Sequence, residues 1–193
     1  MHAEVIGQQV REQIYQDCRL ADVAYAECVF EQCQFVDAVL DNLRLVDCVF
    51  TNCTVRNVEF RGCAVANVVF RDCDVVGLDW SEVRKYGVGR PLLAEMRGCT
   101  LKYNTFVRVK LPRADFSASR IFDCFFQECE LREAVFAEAD LRNTVFQGCD
   151  LRKADFREAR SYAINIEDNR IAKAKFSLPE VVGLLGSLDI VIE

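Results

Sequence analysis

Large apolar residues recur on every fifth position over most of the chain. Between Phe126 and Phe156 the series is Phe126, Leu131, Phe136, Leu141, Phe146, Leu151 and Phe156. Two residues before each stands something small: Cys124, Cys129, Ala134, Ala139, Thr144, Cys149 and Ala154. The remaining three positions of each five are mostly polar. A helix turns about 100° per residue, so a step of five scatters the large residues around its axis. A strand alternates faces every residue, so an odd step flips the side each time. Every fifth residue can face the same way only if the chain turns a corner between them. The pattern therefore predicts short straight segments joined by corners, wound into coils and stacked as a solenoid, with large and small positions both inside.

The register divides the chain. A first block, 15–80, runs in fourteen fives from Tyr15 to Trp80; Val5 and Val10 share its phase, which makes 1–14 an expected N-terminal cap or, over 3–13, a degenerate first coil. The next in-phase positions hold Lys85 and Arg90, which are poor interior residues. With Gly87, Gly89 and Pro91 nearby, 81–95 is expected to be a projecting loop or an irregular coil, its exposed candidates being Arg84, Lys85, Tyr86 and Arg90. A second block, 96–176, resumes one residue out of phase at Met96 and runs in thirteen fives to Phe156, then more loosely through Ile166, Ile171 and Phe176. The tail, 177–193, starts with Ser177-Leu178-Pro179-Glu180, a capping-box pattern with an early proline, which predicts an α-helix. Leu178, Val181, Val182, Leu184, Leu185 and Leu188 follow at helical spacing, and Ile190 to Ile192 reads as a short strand. Such a tail would close the last coil and offer apolar surface for a homodimer.

The 11 cysteines all fall on the small inward position, where Cys alternates with Ala, Val, Leu, Asn, Ser and Thr. They read as compact free thiols in a reducing compartment, not as disulfide partners, metal ligands or nucleophiles. The only His is His2, and no paired-Cys spacing, Gly-rich phosphate loop or nucleophile–base set is present. No enzyme, cofactor or metal is expected. The chain carries no run apolar enough for a membrane span and no signal-peptide core at its start, so a cytoplasmic place and no membrane partner are expected.

The repeat of a small residue, any residue, then Leu or Phe and two polar residues resembles the pentapeptide-repeat family. Ala114-Asp115-Phe116, Ala139-Asp140-Leu141, Cys149-Asp150-Leu151 and Ala154-Asp155-Phe156 carry the resemblance most clearly. It implies an all-β fold, a right-handed quadrilateral β-helix, with a C-terminal helix for capping and dimerisation. The segments Ser161–Ile164, Ala174–Glu180 and Leu188–Ile190, with Gly77–Ser81 before the break, are similar to the gyrase-protecting branch: the albicidin-resistance protein and, more distantly, the quinolone-resistance (Qnr) proteins. That resemblance implies a rod that mimics DNA and binds DNA gyrase or topoisomerase IV, dimerises through its tail, and uses a corner loop for protection.

The charge distribution qualifies that expectation. Residues 1–80 hold 13 acids and 6 Arg, a net of −7, whereas residues 81–193 hold 17 acids and 18 bases, a net of +1; together these give −6. Acids recur two after the large position at Asp17, Asp22, Glu27, Asp37, Asp47 and Asp72, candidates for a partner-binding acidic surface that four-sided coils would not gather on one face. The acid excess argues against direct nucleic-acid binding. The competing expectation is a scaffold or interaction module with a different partner.

Overall fold

The computed structural model describes residues 3–188 and 190. The chain winds as a parallel β-solenoid in which short strands stack in register twenty residues apart. Val29–Glu31 pairs with Val49–Thr51, which pairs with Val68–Arg71, and Phe30, Phe50 and Phe70 lie over one another. Four such columns of strands and bridges form four sides. Each strand is about three residues long, so its middle residue points in and its two neighbours point out. The inward residues fill the rod: Phe116, Phe126, Phe136 and Phe156 are fully buried. Rings stack face to face up the columns, at 5.0 Å between Phe116 and Phe136 and 4.9 Å between Phe136 and Phe156. Edge contacts link adjacent columns, as between Phe126 and Phe136 at 6.2 Å. The first coil has no neighbour on its outer side, and Val5, Val10, Tyr15 and Leu20 there are only half-buried.

The corners explain the polar sequence. The residue two after each large one takes a left-handed conformation: Asp17 has φ 48°, Asp37 50°, Asp47 53° and Asn57 49°. Asp, Asn and Gly tolerate that region best. Gly98 is a corner where only glycine fits: φ is +64° and an added Cβ would stand 2.4 Å from Asp72 Oδ1.

Corners come in two kinds, and the small inward residue follows the kind. At Ala114, Ala134, Ala139 and Ala154 the N–H donates to the carbonyl three residues back, closing a turn. One coil further on, the small residue is again alanine: Ala134, Ala154, Ala159 and Ala174. At four open corners that N–H is taken by a side chain one coil on. Cys53 N donates to Cys73 Sγ at 3.3 Å, Cys99 N to Ser119 Oγ at 2.9 Å, and Cys149 N to Asn169 Oδ1 at 2.8 Å. The same side chains donate onward, Cys73 to Phe50 O at 3.4 Å and Ser119 to Met96 O at 2.7 Å. Two of the thiols are thus more than filler: Cys73 and Cys124 accept the backbone N–H of Cys53 and Asn104, which would otherwise be buried unpaired. Ala38, Val58 and Val68 fill the same site without a polar atom.

The interruption at 81–95 belongs partly to the solenoid. Arg84–Lys85 pairs with Ala64 and Val65, and Val83, Leu92 and Leu93 are buried. The excursion is only Gly87 to Pro91, since Tyr86 N still bonds Val65 O while Asn67 N bonds Pro91 O. One further residue enters at a β-bulge: Val68 pairs with Leu93 but Val69 with Glu95, leaving Ala94 extra. Five loop residues leave the phase of five unchanged; the bulge moves it by one, which is why the second block starts at Met96. Beyond Phe156 the spacing shortens, and Ile164, not Ile166, takes the inward place opposite Phe146.

The C-terminal helix is Glu180–Ser187, wound as a 3-10 helix and not as the expected α-helix. Gly183 and Gly186 and the β-branched pair Val181–Val182 all disfavour α-helix in so short a segment. The capping box does not form: Pro179 occupies the cap without a side-chain bond, and Ser177 Oγ accepts from Glu158 N at 3.2 Å instead. The expected strand at Ile190–Ile192 falls largely outside the described residues.

Candidate partner-binding surfaces

The six acids singled out by sequence sit at left-handed corners, and on all four edges of the rod. Asp17 lies one coil below Asp37 on one edge, Glu27 below Asp47 on another, and Asp22 and Asp72 occupy the remaining two. Their carboxylates are not all free. Asn42 Nδ2 donates to Asp22 at 2.7 Å, Asn57 to Asp37 at 3.0 Å and Asn67 to Asp47 at 2.8 Å, each from the coil above. These Asn-over-Asp steps tie successive corners together. The sequence signal for them was the twenty-residue spacing of Asp and Asn within the corner position.

The loop candidates are anchored differently. Arg84 Nη2 donates to Gly62 O at 2.9 Å, and the Arg44 guanidinium stands 4.4 Å from the Tyr86 ring centroid. Arg90 pairs with Asp47, tying the tip of the loop back to an acidic corner. Lys85 keeps the strand register of Val65 yet is exposed, so the side that should enclose it is open to solvent here.

The tail candidates split. Leu184 is buried and Val181 packs on the last coil, so these two close the core. Leu178, Val182 and Leu185 are exposed, as is Ile190; Leu188 is half-buried. Tyr162, buried beneath the tail, has its phenol pushed up to about 12 by burial and by Glu180.

Several interior thiols are held protonated, while the bond from Cys129 lowers Cys149. Burial pushes the Cys48 and Cys124 thiols up to about 11, and the bond to Cys73, then burial, raises Cys53. Thiols held this far from their thiolates are poor nucleophiles. Among the described residues no group of His, Cys, Asp and Glu could hold a metal ion, all 11 cysteines are free, and no helix is long and apolar enough to cross a membrane. The cavity along the N-terminal core, about 40 Å³ and lined by Tyr15, Tyr25, Phe30 and their neighbours, is ordinary packing space.

Among the described residues the molecule is a rod of parallel coils with a side-chain-filled interior and an exterior of corners, loop and tail. The chain belongs to the pentapeptide-repeat family: the family model for the pentapeptide repeat region matches residues 23–85 and 97–176. The gap between the matched stretches coincides with the loop and bulge. Among solved structures, a trypsin-treated variant of QnrB1, a plasmid-mediated fluoroquinolone resistance protein, superposes with a TM-score of 0.77 at 14% identity, covering 100% of this chain and 98% of that one. Full-length QnrB1 gives 0.58 at 16% identity, covering 97% and 100%. A second trypsin-treated variant gives 0.69 at 14% identity, covering 100% and 98%. At these identities the likeness shows the shared fold. Comparison with curated proteins gives no match.

Proposed function

We propose that the protein is a non-enzymatic, DNA-mimicking rod that binds a bacterial type II topoisomerase, DNA gyrase or topoisomerase IV, in the cytoplasm and modulates it or protects it from poisons. The observation that carries the reading is the acidic N-terminal half. Its net −7 is displayed on a narrow rod, with carboxylates fixed at corners about 4.8 Å apart per coil. A charged array of this kind suits the basic, DNA-binding surface of a topoisomerase, and its attraction would weaken with salt. The resemblance of the tail and of the Gly77–Ser81 stretch to the gyrase-protecting branch supports the same partner. In this reading two protomers join through Leu178, Val182 and Leu185, with Leu188 at the margin, while Val181 and Leu184 brace the joint from inside.

The second reading, a scaffold with another partner, is favoured by the Asn bonds that occupy three of the six acids. A supercoiling assay with purified DNA gyrase, with and without a poison, separates them. The mimic reading expects inhibition or protection at micromolar protein. Neither effect at that level refutes it and leaves the scaffold.

A further inference from the structure

The acid excess of the whole chain conceals a basic groove. Beside the loop, Lys85, Arg90, Lys110, Arg113 and Arg132 line a depression of about 700 Å³ that also contains Glu130 and Glu133. The sequence scatters these bases over three coils. The fold brings Lys110 below Glu130 on one side of the rod and Arg113 below Glu133 on its corner. The acids are already engaged: Lys110 with Glu130 at 2.6 Å, and Arg113 with Glu133 at 3.0 Å. Lys85 and Arg132 hold no ion pair among the described residues, and both are exposed. Between the bases the groove presents Pro91, Ala94 and Pro112, a small apolar floor. Further along the same side Arg170 follows Asp150, whose carboxylate is paired with Arg152.

We propose that this groove seats an extended acidic segment of a partner protein. Five bases and two acids line it; with Arg90 paired to Asp47, Lys110 to Glu130 and Arg113 to Glu133, Lys85 and Arg132 leave the site net positive within a chain of net −6. The floor and the interleaved acids favour a peptide over a nucleic acid. A duplex backbone presents a charge at every phosphate and nothing apolar to set on prolines, and it would meet Glu130 and Glu133 head-on. An extended peptide shows every second side chain to one side, about 6.6 Å apart. Its acids can meet the walls while its apolar residues rest on the floor. The loop supplies one wall, which gives the Gly87–Pro91 excursion a role of its own. The inference does not rest on the topoisomerase reading, because the groove and the acidic corners are different surfaces that meet only at the Arg90–Asp47 pair.

The test is fluorescence anisotropy of the full chain with a short labelled peptide of alternating Glu and Leu. The same peptide with Gln for Glu and a short labelled DNA duplex serve as comparisons. The Glu peptide is expected to bind at least tenfold more tightly than the Gln peptide, and less tightly as salt rises. Lys85→Glu and Arg132→Glu, each made singly and checked for fold by circular dichroism, should each weaken it several-fold, and Arg97→Glu on the adjoining side should leave it unchanged. Reading the two variants separately lets one decide if the other unfolds. Absence of peptide binding, equal binding of the Gln peptide, preference for the duplex, or unaltered affinity in a folded variant would each overturn the proposal.

Discussion

Replacing Cys73 distinguishes a thiol that fills space from one that carries hydrogen bonds. Its sulfur accepts from Cys53 N at 3.3 Å and its thiol donates to Phe50 O at 3.4 Å. Cys73→Ala removes the sulfur and strands the Cys53 N–H in a buried corner. An orphaned buried donor costs about 1–3 kcal/mol, and deleting one heavy atom from a packed core adds about 1 kcal/mol. The expected loss is therefore about 2–4 kcal/mol. Cys73→Ser keeps an acceptor and a donor. Ser119 already does this work over Cys99, with bonds of 2.9 and 2.7 Å, so the serine variant should lose only about 1 kcal/mol, mostly through lost volume. Urea unfolding under reducing conditions, followed by circular dichroism, reads the difference. With a slope of about 2–3 kcal/mol per molar urea, the alanine variant should unfold about 1 M earlier than wild type and the serine variant between them. If the thiol were only compact filler, alanine would be the milder change. A Cys73→Ala protein as stable as, or more stable than, Cys73→Ser would refute the hydrogen-bond account of the open corners.

Four further outcomes are expected. Leu185→Asp should give a folded monomer by light scattering, because Leu185 is exposed, whereas Leu184→Asp should destabilise the protomer, because Leu184 is buried; an unchanged oligomeric state in Leu185→Asp would remove the tail from the proposed interface. Removing Gly87–Pro91 should leave the circular dichroism spectrum and melting transition close to wild type, since five residues are inserted there and only Pro91 O takes part in the ladder, and loss of fold would make it structural. Gly98→Ala should cost about 1–3 kcal/mol in urea unfolding, from the positive φ and the clash with Asp72, whereas Gly7→Ala, with open space around it, should cost less. The bonds from Arg152 and Arg157 hold Asp150 and Asp155 below the ordinary carboxylate range. A depressed folded-state value adds stability above the unfolded value and loses it as pH falls through the folded one, so stability should drop below about pH 4, less so in Arg152→Gln.

The interior was legible in the sequence because one step of five dictates which side chains share a column, and Phe116 to Phe156 stand where that step puts them. The corner acids were legible as positions, but their Asn partners depend on a twenty-residue stacking that linear reading does not display. The cysteines were placed correctly and only half explained: open and closed corners differ in a backbone bond, not in hydropathy. Arg84 and Lys85 read as loop because charge hid a strand register that is carried by main-chain pairing with Ala64 and Val65. The helix was legible from spacing; its tighter winding was settled by two glycines and two valines. The basic groove escaped because its residues are distant in sequence and their charges cancel in any running sum.

Ala94 has a consequence for anyone who would splice these coils. The extra residue leaves two reading frames in one rod: apart from the shortened step at Ile164, partners lie twenty apart on either side of it, and twenty-six apart across it, as Phe70 and Met96 do. A chimera stitched across that point by counting twenties would slip by one even after trimming the loop, and in a strand one step exchanges inside for outside. The phenylalanines downstream would then be turned into water, so modules from the two halves are interchangeable only when the seam carries its own offset.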